Sequence, residues 1–142
     1  MTTDSIPSAP RILIVEDDSE IRDTLADLLR SEGYDVSTAL NGLDALAMLS
    51  QFPPNLVLLD LTMPVMDGSQ FLATLRDRGQ RSIPIVIVSA VAFRAVPGAS
   101  AIVRKPINFD ALLTIVVEHC GKPPSRMPGD IASHAASTIP DR

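Results

Sequence analysis

The chain has 142 residues and a formal net charge of −5, which allows one ordinary domain and argues against nucleic acid as the main partner. Its single cysteine, Cys120, excludes an intramolecular disulfide and a cysteine-based zinc cluster. The longest uncharged apolar stretch, residues 82–93, is too short to span a bilayer, and the first residues show no export signal. We therefore expect a cytoplasmic protein with one folded domain.

The distribution of proline separates the predicted domain from its ends. Six of the twelve prolines lie before residue 11 or after residue 121, in segments without apolar periodicity. We expect flexible tails at residues 1–10 and 122–142 and a folded domain at residues 11–121. The segment after the domain shows no helix-turn-helix pattern, so we expect no DNA-binding effector unit in it.

Five short segments predict β-strands. Three are continuous apolar runs, which are typical of parallel strands covered on both faces, while one alternates as strands near an edge do and the last is short. In chain order, the predicted strands are residues 12–15, 34–38, 56–59, 85–88 and 101–103.

Four amphipathic patterns predict helices. Asp18, Asn41 and Asn108 are candidate N-caps for three of them, and a glycine follows three of them as a stop signal. The predicted apolar stripes are Ile21, Leu25, Leu28 and Leu29; Leu43, Leu46 and Leu49; Phe71, Leu72 and Leu75; and Phe109, Leu112, Leu113, Val116 and Val117. The alternation of strands and helices predicts a doubly wound α/β fold with a ligand site at the carboxyl ends of the strands.

Polar residues follow directly on four of the predicted strands. They are Glu16, Asp17 and Asp18; Asp60; Ser89 and Ala90; and Lys105 and Pro106. Each set alone has an ordinary explanation, because acids cap helices, serine starts turns and lysine is common in loops. Together they predict one crevice, in which converging carboxylates need either a hard divalent cation such as Mg²⁺ or the Lys105 ammonium. Such a site suits phosphoryl transfer.

Four sequence blocks closely resemble receiver domains of two-component response regulators. The blocks are ILIVED with a further aspartate at 12–18, LVLLDLTMPVMDG at 56–68, IVIVSA at 85–90 and RKP at 104–106. They occur in matching order over nearly all of residues 11–121, and the block at 56–68 is the most specific. The resemblance implies a flavodoxin-like receiver fold with strand order 2-1-3-4-5.

The resemblance also implies residue roles. Asp60 would be the phosphoacceptor for a sensor histidine kinase, and Lys105, Ser89 and the backbone N–H of Ala90 would contact the phosphoryl group. Asp17, Asp60 and the backbone carbonyl of Thr62 would bind Mg²⁺, and Glu16 would hold a metal-bound water. Pro106 would follow a cis peptide bond. A single-domain regulator of this family would signal through protein binding, or relay the group to a histidine phosphotransfer protein.

Two features depart from the family pattern. Only fifteen residues separate Ser89 from Lys105, which predicts a shortened or missing fourth helix. Ile102 stands where the family usually has an aromatic residue. These departures motivate an alternative, a pseudo-receiver that binds proteins independently of phosphorylation. A small phosphohydrolase is disfavoured because Thr62 stands where such enzymes place a second aspartate, so we expect no turnover enzyme.

Overall fold

The computed structural model describes residues 9–51, 53–61, 68–79, 82–90 and 98–124. These residues form a sheet of five strands with four helices around it. In chain order, the elements are β1 (Arg11–Val15), α1 (Ser19–Ser31), β2 (Asp35–Ala39), α2 (Gly42–Leu49), β3 (Leu56–Asp60), α3 (Gly68–Asp77), β4 (Ile85–Ser89), β5 (Ala101–Arg104) and α4 (Phe109–Cys120).

The sheet is parallel throughout, and its strand order is β2-β1-β3-β4-β5. This arrangement confirms the predicted doubly wound fold and its 2-1-3-4-5 order. Every residue of β3 and β4 is buried, since helices cover both faces of the central strands. The continuous apolar runs at these strands are explained by that double coverage.

Alternate residues of the strands build two separate core layers. Ile12 and Ile14 of β1 pack on the side of α1 and α4, whereas Leu13 and Val15 pack on the side of α2 and α3. This division follows from the period of two along a strand, which sends successive side chains to opposite faces. The two layers hold the strand ends, and therefore the residues that follow them, in a fixed arrangement.

The predicted caps are confirmed. Asp18, Asn41 and Asn108 each adopt an extended backbone and accept hydrogen bonds from N–H groups in the first turn of α1, α2 and α4. Gly121 follows α4 with a φ of +83°, a conformation that glycine adopts without strain. The Lys105–Pro106 peptide bond is cis, as the family resemblance implied.

Two residues placed on buried stripes by the sequence are in fact exposed. Leu43 is 51% exposed and Phe109 is 39% exposed. In α2 the fully buried Ala45 faces the sheet, and Leu43, two residues earlier, lies about 200° away around the helix. The three-residue spacing of Leu43 and Leu46 therefore predicted a wider buried face for α2 than the structure has.

Three of the predictions fall largely outside the described residues. The tails at residues 1–10 and 122–142 are described only at residues 9, 10 and 122–124. Between β4 and β5 the described residues contain no helix, but residues 91–97, where the shortened fourth helix was predicted, are outside them. Of the helices in the described ranges, none is long and apolar enough to cross a membrane.

Candidate functional site

The carboxyl ends of four strands present their polar residues at one edge of the sheet. Glu16 directly follows β1, and its N–H donates to the Ala39 carbonyl oxygen at 3.1 Å, which continues the pairing with β2. Asp60 is the last residue of β3, Ser89 is the last residue of β4, and Lys105 directly follows β5. Because these strands are parallel neighbours, all four side chains originate from the same edge.

Three carboxylates meet at this edge. One oxygen of each of Glu16, Asp17 and Asp60 lies within 4.8 Å of the other two. Glu16 and Asp60 are only 2% and 4% exposed, whereas Asp17 is exposed. The acidic cluster therefore has two buried members and one member at its mouth, as expected for a crevice that is open to a ligand.

Lys105 supplies the positive charge of the crevice. Its Nζ lies 3.0 Å from Oε1 of Glu16 and 3.8 Å from Oδ2 of Asp60. The lysine side chain is 18% exposed, so both ion pairs are largely shielded from water. One ammonium thus faces two buried carboxylates, which leaves the described part of the crevice with excess negative charge.

The buried position in this crevice changes the ionisation of Glu16. Burial raises the pKa of Glu16 to about 7, the Lys105 hydrogen bond opposes this rise, and the nearby charge of Asp60 adds to it. Near neutral pH both the protonated and the charged form of the Glu16 carboxyl group are therefore populated. A cation entering the crevice would favour the charged form.

The turn between β1 and α1 is held by a residue that the sequence analysis did not identify. Arg22 donates from Nη1 to the carbonyl oxygens of Glu16, at 3.0 Å, and Asp17, at 3.4 Å. The N–H of Asp18 also donates to Oε2 of Glu16 at 3.2 Å. A positive charge near the N-terminus of a helix is unfavourable with respect to the helix dipole. The position of Arg22 in the sequence could therefore have indicated that its side chain has a specific partner.

Ser89, the last residue of β4, lies on the strand next to Asp60. Val88 is the register partner of Asp60, so Ser89 lies one residue further along the neighbouring strand. Ser89 is fully buried, its carbonyl oxygen accepts from the Lys105 N–H at 2.9 Å, and Ala90 follows it at an exposed position. The structure thus brings together six of the predicted site residues, and the seventh, Thr62, lies outside the described residues.

The donor set fits Mg²⁺ better than a softer metal. The three clustered side chains offer only carboxylate oxygens, which are hard donors, and no histidine or cysteine belongs to the cluster in the described part of the chain. Asp17, Asp60 and Glu16 could hold such an ion at the mouth of the crevice. The ion would also oppose the effect of burial, and of the nearby Asp60 charge, that raises the pKa of Glu16.

Comparison with known proteins agrees with this site. A family model described as the response regulator receiver domain matches residues 12–117. The protein PilG of Pseudomonas aeruginosa is 31% identical over 130 residues, which cover 87% of this chain and 94% of PilG. The transcriptional regulatory protein PrrA of Mycobacterium leprae is 39% identical over 83 residues, 58% of this chain but only 35% of PrrA.

A solved structure agrees as well. The response regulator TrrA of Thermotoga maritima, in complex with Mg²⁺ and BeF, is 33% identical and has a TM-score of 0.71. The match covers 77% of this chain and 97% of the TrrA chain. The chain thus spans nearly the full length of PilG and TrrA but about a third of PrrA.

Proposed function

The chain belongs to the response regulator receiver domain family, and on this basis we propose that Asp60 accepts a phosphoryl group from a sensor histidine kinase. A carboxylate oxygen of Asp60 attacks the phosphorus, a P–O bond forms, and the P–N bond to the donor histidine breaks. The electron pair of the broken bond leaves with the imidazole, which takes a proton from solvent. The product is an aspartyl phosphate.

The residues around Asp60 have separate tasks in this proposal. Lys105, whose Nζ is 3.8 Å from Asp60, pairs with the incoming phosphoryl oxygens. The Ser89 hydroxyl and the Ala90 N–H donate to the same oxygens. Asp17, Asp60 and the Thr62 carbonyl would hold Mg²⁺, and Glu16 would contact it through a water. When bound, Mg²⁺ neutralises negative charge that develops on the phosphoryl oxygens.

The observation that carries the proposal is the convergence of the buried Asp60 with two further carboxylates and one lysine. A structural role alone does not account for it, because burying two acids beside a third acid and a single ammonium is electrostatically unfavourable. A divalent cation would offset the excess negative charge of these acids, and together with the Lys105 ammonium it would allow a negatively charged phosphoryl group to enter. Family membership supports the same assignment.

We propose that the phosphorylated chain signals from the cytoplasm, either by changing its affinity for a partner protein or by relaying the group to a histidine phosphotransfer protein. PilG supports a single-domain form, since the match covers 94% of that protein. PrrA extends well beyond the matched region. The aspartyl phosphate hydrolyses slowly in place, so the chain is no turnover enzyme in this proposal.

The test is intact-mass measurement after incubation with acetyl phosphate and Mg²⁺. We expect one added phosphoryl group on the parent chain and none on Asp60→Asn. The matched control, Asp27→Asn on the exposed face of α1, makes the same chemical change and should behave as the parent. Loss of the adduct in both variants, or its presence in Asp60→Asn, would contradict the assignment of Asp60.

One observation favours the alternative of a pseudo-receiver that binds partners without phosphorylation. Ile102 of β5 is 38% exposed, at the position where the family usually carries an aromatic residue that takes part in the switch. If no adduct forms and beryllofluoride with Mg²⁺ also fails to bind, the pseudo-receiver becomes the better interpretation. If no adduct forms but beryllofluoride with Mg²⁺ does bind, Asp60 would still be a competent acceptor.

A further inference from the structure

Arg22 of α1 binds the backbone of all three residues in the acidic turn between β1 and α1. Its Nη1 donates to the carbonyl oxygens of Glu16 and Asp17 at 3.0 and 3.4 Å, and its own N–H donates to the Asp18 carbonyl oxygen at 2.9 Å. The bond to Asp18 is the ordinary first hydrogen bond of an α-helix, whereas the two side-chain bonds are specific to Arg22. Three consecutive carbonyl oxygens therefore accept hydrogen bonds from one residue.

The carboxylate of Asp17 depends on this backbone for its position. In the described part of the chain no hydrogen bond or ion pair holds that carboxylate, whereas the Glu16 carboxylate accepts from the Asp18 N–H and pairs with Lys105. The two peptide groups that flank the Cα atom of Asp17 are the ones whose oxygens accept from Arg22. Because each peptide group is planar, holding both of them restricts φ and ψ of Asp17 and so sets the direction of its side chain.

Arg22 occupies a place on the helix where a positive charge is otherwise unfavourable. It is the fourth residue of α1, near the helix N-terminus, where the helix dipole favours negative charge. The other arginine of this helix, Arg30, lies in the last turn, where a positive charge is favourable. The position of Arg22 is therefore better explained by its contacts with the acidic turn than by helix stability.

We propose that Arg22 is a positioning residue for Mg²⁺ binding, because it holds the Asp17 carboxylate within reach of the other two acids. The inference rests on the proposed Mg²⁺ site, and it gives Arg22 no contact with the cation or with the phosphoryl group. A carboxylate that is already in place has less freedom to lose when the cation binds. Removing a group that orients metal ligands from behind typically costs roughly 10- to 100-fold in metal affinity.

Positioning and simple charge predict opposite effects of removing Arg22. A guanidinium beside an acidic cluster repels an incoming cation, so its loss would tighten Mg²⁺ binding if charge alone mattered. Loss of positioning weakens Mg²⁺ binding, because the Asp17 carboxylate must then be ordered when the cation enters. The sign of the change in the Mg²⁺ dissociation constant therefore distinguishes the two roles.

The test is a titration of the metal-free, isotope-labelled protein with MgCl₂, followed by NMR through the backbone N–H signals of residues 16–18. Arg22→Met keeps a long side chain without its donors and should raise the dissociation constant of Mg²⁺ by about ten-fold. Arg22→Lys keeps the charge without the planar guanidinium and should raise it by about three-fold. The Mg²⁺ concentration for half-maximal phosphorylation by acetyl phosphate should rise by the same factors, while the maximal rate changes less.

The second arginine of the same helix provides the matched control. Arg30 donates from Nη2 to the Val36 carbonyl oxygen at 3.1 Å, which is a bond of the same kind. Val36 is the register partner of Ile12, near the starts of the strands and away from their carboxyl ends. Arg30→Met makes the same change in net charge as Arg22→Met, and it should leave the dissociation constant of Mg²⁺ within about two-fold of the parent value.

Two results would overturn the proposal and leave the Mg²⁺ site in place. The first is that Arg22→Met binds Mg²⁺ as tightly as the parent or more tightly. The second is an equal weakening in Arg22→Met and Arg30→Met, which would assign the change to a general loss of helix stability. If Arg22→Met does not fold, Arg22→Lys decides, and an unchanged dissociation constant in that variant would contradict positioning. A parent chain that does not bind Mg²⁺ would overturn the proposed metal site together with this inference.

Discussion

The two edges of the sheet are stabilised in opposite ways. At the carboxyl edge, Lys105 faces two buried carboxylates, those of Glu16 and Asp60. At the amino edge, mostly neutral groups are joined by short hydrogen bonds, and the ion pair of Arg11 with Asp35, at 3.2 Å, is exposed to water. Tyr34 Oη donates to the Gly121 carbonyl oxygen at 2.7 Å.

Further hydrogen bonds link the strand starts at the amino edge. The N–H of Arg11 donates to Oδ1 of Asn55 at 2.7 Å, and the N–H of Asn55 donates to the Arg11 carbonyl oxygen at 2.7 Å. Ser100 and Ile85 are joined in a similar reciprocal way, with distances of 2.7 and 3.3 Å. The comparison shows that the amino edge is stabilised by its own hydrogen bonds, whereas the carboxyl edge keeps an excess of negative charge that a bound cation can neutralise.

The largest expected effect comes from removing the only cation that pairs with these acids in the described part of the crevice. Lys105→Met leaves Glu16 and Asp60 buried without their ammonium, which should lower the free energy of unfolding by about 2 to 3 kcal/mol at about pH 8 without metal. Saturating Mg²⁺ should restore part of this loss. Urea denaturation followed by circular dichroism measures both quantities.

A lysine at the opposite edge provides the control for this change. Lys122 is exposed beside Gly121, and Lys122→Met should alter the free energy of unfolding by less than about 0.5 kcal/mol. Equal losses for the two lysines would show that the carboxyl edge carries no special charge imbalance.

The next effect is a pH dependence that belongs to the carboxyl edge alone. In the folded protein the pKa of Glu16 is raised from 4.5 to about 7, so folding favours its protonated form. The stability from this group is fully present below about pH 4.5 and is lost as the pH rises through about 7. The metal-free protein should therefore lose roughly 1 to 3 kcal/mol between about pH 5 and about pH 8.

Glu16→Gln tests the source of that slope. Glutamine does not titrate, so the decline over the same pH range should largely disappear, whatever the variant's absolute stability. Denaturation midpoints measured at several pH values without metal suffice for the comparison. A slope that persists unchanged in Glu16→Gln would assign the pH dependence to another group.

Much of this molecule could be predicted because local pattern and topology agree. The buried strands, the caps at Asp18, Asn41 and Asn108, and the convergence of Glu16, Asp60 and Lys105 all follow from residue order in a parallel sheet. Strand ends were less predictable. Ser89 belongs to β4 although it is polar, because its backbone still pairs with β5.

The errors have equally local causes. Tyr34 was placed in the second strand, but its N–H donates to the Leu29 carbonyl oxygen and closes the turn after α1 instead. The contact of Arg22 with the turn of the acids depends on how a long side chain folds back, which spacing does not determine. The closer pairing of Lys105 with Glu16 than with Asp60 likewise depends on side-chain conformation.

The smallest expected effect lies at the amino edge and tests one of its neutral hydrogen bonds. Tyr34→Phe removes one neutral hydrogen bond to Gly121 and should lower the free energy of unfolding by about 1 kcal/mol. Burial raises the pKa of the Tyr34 hydroxyl, so it keeps its proton and donates throughout the neutral range. The loss should therefore be the same at about pH 5 and about pH 8, with or without Mg²⁺. A loss in Tyr34→Phe that varied with pH or metal would show that the two edges are coupled, and the separation drawn between them would be wrong.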